Sequence, residues 1–256
     1  IPVYIVPPEG SNQVRDGFLR GGASRWWLHH SLTALDRDLR ARGSRLIIRR
    51  GEPTEVLTRL AAETNATAVH WNRRLEPAGI ATDRAVKQSL REQGLTAQSF
   101  AGNYLHEPWN VLNKQGAPYK VFTPYWKALL AAGIDLPVLP EPEKLPPVDD
   151  TIAGETIDSL DLLPSLDWAS GFADWWTPGE TGAWNRFESF LDEVARYHAT
   201  RNRLDFDGTS RLSPHLHFGE ITPRQIVARV RSEYPNALDD KGPEPVSYTH
   251  LTLPTK

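Results

Sequence analysis

The strongest constraint on this chain is an alternation of two hydrophobic periods over its first hundred residues. Short β-type or apolar runs, Ile1 to Val6, Leu46 to Arg50, Ala68 to Trp71 and Thr96 to Ala101, are separated by stretches with helical spacing. After Ser24, a residue suited to cap a helix, Leu28, Leu32, Leu35 and Leu39 recur at i, i+4, i+7 and i+11. The next stretch opens on Pro53, which fits a first helical turn, and repeats the pattern with Val56, Leu57, Leu60 and Ala61. A third helix is expected from Ile80 to Arg91. Strands and helices in alternation predict a parallel sheet covered on both faces, so residues 1–103 read as a Rossmann-like α/β domain.

From Asn103 the pattern breaks. Residues 104–176 read as an interdomain connection, acidic and rich in proline, with five prolines between Pro137 and Pro147 and no sustained period. The charge is split by region. Residues 1–133 hold 18 basic and 11 acidic side chains, a net of +7; residues 134–176 hold 1 and 10, a net of −9; residues 177–256 hold 10 and 11. A whole-chain charge of −3 therefore does not argue against a polyanionic partner.

Residues 177–245 read as the beginning of an all-helical domain. Thr177-Pro178-Gly179-Glu180 has the form of a capping box, and Ala183, Phe187, Phe190, Leu191 and Val194 form an apolar stripe that ends near Tyr197. A second capping box, Thr222-Pro223-Arg224-Gln225, starts a helix through Ile226 and Val230. The chain opens inside a β-type run and holds no Met, so its start is expected to be missing. Val246 to Lys256 carries no period and is read as a non-native tail.

No apolar run approaches the ~20 residues that span a bilayer. Nine Trp, eight Phe and seven Tyr supply ample core, which excludes disorder along the whole chain. With no cysteine, disulfides and thiolate metal sites are ruled out, in keeping with a cytoplasmic protein. His29-His30 and His215-x-His217 do not make a metal site, because adjacent helical side chains diverge by about 100° and no carboxylate completes a set.

The segment with most chemical content is Gly208-Thr209-Ser210-Arg211-Leu212-Ser213-Pro214. Hydroxyls, backbone amides and one guanidinium lie between a glycine and a helix-starting Ser-Pro, so they can converge on one anion as a phosphate cradle. A plain turn with Ser213 as helix cap uses the same residues, and spacing alone leaves both readings open.

The run YHATRNRLDFDGTSRLSPHLHFGEITPRQ, residues 197–225, resembles the flavin-binding signature of the DNA photolyase and cryptochrome family. Two earlier blocks agree with it, GGASRWWLHHSL at 21–32 and YKVFTPYWK at 119–127. The resemblance implies flavin adenine dinucleotide (FAD) in the helical domain, with Tyr197 beside it and Thr209, Ser210, Arg211, Leu212 and Ser213 around its diphosphate. It also implies that Arg201 approaches the DNA backbone. In the α/β domain it implies a light-harvesting antenna, methenyltetrahydrofolate or deazaflavin. Glu76, in the loop Asn72 to Pro77 after the Ala68 strand, is the residue singled out for that site, because loops at the carboxyl ends of parallel strands form ligand crevices.

The function this resemblance implies for the parent protein is light-driven repair of cyclobutane pyrimidine dimers in ultraviolet-damaged DNA, by a monomer. A cryptochrome photoreceptor and a stand-alone α/β nucleotide-binding module are the alternatives. The family's lesion-contacting and electron-relay positions fall in later helices, so neither a catalytic residue nor a relay tryptophan is assigned. This stretch alone is expected to bind no stoichiometric flavin.

Overall fold

A computed structural model describes residues 1–8, 21–133 and 138–234. The read tail at 246–256 lies outside the described residues. The chain divides into two compact units: residues 1–100 with 141–179, and residues 101–140 with 180–256.

The first unit is α/β. Its elements run β1 (Val3–Val6), α1 (Gly22–Ala41), β2 (Ile47–Arg50), α2 (Pro53–Thr64), β3 (Ala68–Asn72), α3 (Pro77–Glu92) and β4 (Thr96–Phe100). All pairing is parallel, as helical crossovers require. β1 pairs with β2 with Val3 opposite Ile47, and β3 pairs with β4 with Ala68 opposite Thr96. Among the described residues these are two separate pairs rather than the one continuous sheet expected. The face of β3 and β4 that carries Val69, Trp71 and Ala97 packs with Leu57, Val86 and Leu90, whereas His70, Gln98 and Phe100 on the other face are exposed. Only one face of this pair is therefore covered.

Local signals set most of the helix ends. Pro53 and Pro77 sit in the first turns of α2 and α3, and Asn65 closes α2 in the left-handed region at φ 52°. The cap expected at Ser24 is not used. α1 starts three residues earlier, behind Gly21, and its Gly22 lies under the Trp168 indole, where a Cβ would come within 2.6 Å of the ring. The helix expected to start at Pro178 behind Thr177 begins instead at Glu180, after Gly179 at φ 107° packed against Ala34. The Thr222–Gln225 box is present in full.

Among the described residues the acidic stretch contains two short 3-10 turns and no longer element, as its prolines predict, and residues 141–179 belong to the first unit. Its backbone bonds to two elements, Leu145 N–H to the Arg42 carbonyl and Glu155 N–H to the Ile48 carbonyl, both at 2.9 Å. Arginines supply the opposite charge. Arg42 pairs with Glu141, Arg50 with Glu155 at 3.3 Å, and Arg45 donates to the carbonyls of Asp149 and Ile152 at 2.8 and 2.9 Å. The segment ends in aromatic contacts: Phe172 meets Trp26 edge-on at 5.3 Å and Trp176 meets Trp27 at 5.4 Å.

The second unit holds α4 (Phe122–Ala132), α5 (Glu180–Glu193), α6 (Tyr197–Thr200), α7 (Ser213–Phe218) and α8 (Pro223–Glu233). Ala183, Phe187 and Leu191 of α5 meet Leu212, Ile221, Ile226 and Val230 in one core cluster. Leu105, Val111, Leu129 and Val227 form a second. No described helix is long and apolar enough to cross a membrane.

α7 has six residues, too short to hold itself, and is anchored by Leu212 before it and Ile221 after it. Gly219, at φ 72°, turns the chain so that Glu220 N–H reaches the His215 carbonyl at 2.9 Å. Beneath the turn, His215 Nδ1 lies 2.5 Å from Glu220 Oε2, both residues buried. Glu220→Leu strands a buried imidazole, so a loss of about 3 kcal/mol is expected in urea unfolding, with Glu220→Gln losing less because it keeps the hydrogen bond.

A second prediction concerns alkali. Tyr4 is half-buried as a residue, but its phenol is enclosed, and burial pushes its pKa from 10.0 up to about 12. The folded chain then keeps this phenol neutral where the unfolded chain ionises. The contribution is full below pH 10 and is lost as pH rises toward 12. Thermal midpoints should fall across that window, with a shallower fall in Tyr4→Phe.

Candidate functional site

The candidate loop joins α6 to α7, and its start is set by contact with α6. Gly208 sits against Thr200, where a Cβ would come within 2.6 Å of the Thr200 hydroxyl, so only glycine lets the strands of the loop close there. Arg203 N–H returns to the Thr200 carbonyl at 2.9 Å.

The expected site residues fall into two groups. Ser210 and Leu212 point inward: both are buried, and the Ser210 hydroxyl accepts from Leu212 N–H at 3.4 Å. Tyr197 is also fully buried, edge-on to Phe190 at 5.6 Å. Burial raises its phenol pKa, while the Arg201 guanidinium, 5.8 Å from the ring centre, pulls it back. Thr209 is half-buried and Ser213 is exposed, and neither hydroxyl makes a hydrogen bond among the described residues. The loop thus turns some of its polar atoms inward and leaves two hydroxyls open.

Arg211 adopts φ 50°, in the left-handed region. Its Nε is 2.8 Å from Asp207 Oδ1, and the other oxygen of that carboxylate accepts from Arg186 Nη2 at 2.8 Å. Arg186 also donates from Nε to the Ser210 carbonyl at 3.3 Å. Neither Arg186 nor Asp207 was legible as a site residue. Arg186 lies on α5 beside the core residue Phe187, and no local spacing ties it to a loop more than twenty residues away.

Arg201 is exposed just beyond α6, while Arg203 pairs with Asp205 at 2.6 Å and covers the Phe206 ring at 4.4 Å. Glu76 is exposed at the start of α3. Its carboxylate lies over Gly79, where a Cβ would come within 2.5 Å of Oε1, near the positive end of the helix but without a capping hydrogen bond. A cavity of about 510 Å³ in the first unit does not include Glu76; Gly22, Arg25, Leu163, Leu166 and Trp168 are among its walls.

Comparison with known proteins identifies the family. The DNA photolyase family model matches residues 1–146. A deoxyribodipyrimidine photo-lyase of Agrobacterium fabrum is 44% identical over 230 residues, which is 88% of this chain and 46% of that protein. Cryptochrome-2 of Arabidopsis thaliana is 34% identical over 90% of this chain and 38% of its own length. Among solved structures, a bacterial class III photolyase from Agrobacterium tumefaciens superposes with a TM-score of 0.83 at 42% identity, covering 91% of this chain and 48% of that one. The chain spans less than half the length of these relatives. Two parallel strand pairs, a helical unit with a hydroxyl loop, and matches along nearly the whole chain place this protein in the DNA photolyase family.

Proposed function

We propose that the parent protein is a light-driven repair enzyme for cyclobutane pyrimidine dimers in DNA and that the loop 209–213 holds the diphosphate of its FAD. The observation that carries this reading is the pair of open hydroxyls, Thr209 and Ser213, on a loop whose backbone is fixed from behind by Ser210, Leu212 and the Gly208–Thr200 contact. The residues present fit the group: small hydroxyls and neighbouring guanidinium groups suit a diphosphate. Bound and reduced, FAD supplies a photoexcitable one-electron donor.

The chain's own residues do the positioning. Tyr197 supports the loop from beneath, since its ring has no exposed surface with which to touch a ligand. Ser210 and Leu212 contribute through the backbone they hold in place. Arg201, exposed and adjacent, offers its charge to the phosphate backbone of the damaged strand. A lesion is already poorly stacked, which lowers the cost of turning it out of the duplex.

For an antenna, the cavity that Arg25 and Asp161 line beside the Trp168 indole offers a flat aromatic ligand an apolar wall, which the exposed Glu76 position does not. The greater identity to the Agrobacterium photo-lyase than to Cryptochrome-2 favours repair over signalling.

The deciding experiment is illumination of dimer-containing DNA with the gene product at its natural length. Restored thymines are expected. Intact dimers in the presence of bound, reduced flavin would remove the repair reading. Arg201→Ala is expected to keep its flavin and to lower the slope of log affinity against log salt by about 1. An unchanged slope returns Arg201 to an ordinary surface charge.

A further inference from the structure

The geometry points to Asp207 as a built-in competitor for the anion that the loop receives: Arg186 and Arg211 form a two-guanidinium clamp, and a diphosphate enters it by displacing the Asp207 carboxylate. This rests on the reading of loop 209–213 as the flavin cradle and adds a residue from α5 to it.

Three observations carry the inference. The carboxylate is divided between the two arginines, one oxygen on Arg186 Nη2 and the other on Arg211 Nε, each at 2.8 Å. This is the geometry of an oxyanion held between two cations. Arg186 is itself tied to the loop through the Ser210 carbonyl at 3.3 Å, so its guanidinium stays with the hydroxyl turn when its acidic partner leaves. All three side chains are partly open, at 29% for Arg186, 36% for Arg211 and 47% for Asp207. Pairs this exposed are weak, and a doubly charged ligand can replace a single carboxylate.

Charge arithmetic gives the sign. Asp207 sets one negative charge between the two guanidinium groups. Neutralising it makes the clamp one unit more positive, and the attraction for a diphosphate rises. If Asp207 served only to orient the arginines, its removal would weaken binding. The two roles therefore predict opposite signs.

The test uses the flavin-loaded gene product at its natural length, with loss of FAD followed by absorbance during dialysis against rising chloride. Asp207→Asn is expected to slow the loss about two- to fivefold at low salt, with the advantage fading as chloride screens the clamp. Adding Arg186→Ala should abolish the gain. Asp207→Ser serves as a second variant should the first fail to fold. Ser213→Ala tests the underlying reading separately, with FAD lost about two- to tenfold faster. Faster loss in Asp207→Asn with Ser213→Ala behaving as expected would overturn the competitor role and leave the cradle standing. Unchanged retention in Ser213→Ala would overturn the cradle, and the clamp with it.

Discussion

Burial of Leu212 is the constraint on which the candidate site depends. The residue sits in the middle of a polar loop, yet it is packed with Ala183, Phe187 and Leu191 of α5 and with Ile221, Ile226 and Val230. One turn and a half of helix cannot determine its own position, so α7 stands where Leu212 and Ile221 hold it, with His215 and Glu220 joined beneath. The apolar stripe of α5 thereby decides which way the hydroxyls on either side of Leu212 face. Ser210 is drawn inward with the anchor, while Thr209 and Ser213 are left outside.

In the first unit charge matching has a comparable organising part. Arg42 and Arg45, in the turn between α1 and β2, and Arg50 at the end of β2 face a segment whose acids would otherwise repel one another along the chain. The acidic stretch gains ion pairs and two backbone hydrogen bonds by lying along that surface. Exposed pairs of this kind contribute little singly. Their effect is cumulative, and the aromatic contacts of Phe172 and Trp176 secure the far end.

Around the hydroxyl loop the residues divide by position: Tyr197, Ser210 and Leu212 are buried, Thr209 is half-buried, Ser213 is exposed, and Arg211 pairs with Asp207.

The parts of this protein legible in its sequence are those encoded by neighbours. Helical periods, the proline starts of α2 and α3, the Thr222–Gln225 box and the hydroxyl turn all follow from side chains within a few positions of one another. Pairings between distant residues were not legible. Gly22 packs under Trp168 and Gly179 against Ala34 where helices begin, the Glu76 carboxylate lies over Gly79, and Arg186 meets Asp207 where α5 packs on Leu212. Local sequence determines which elements form, since dihedral preference and period act over one or two turns. Tertiary structure alone decides which charges meet, because that depends on which surfaces the core leaves side by side.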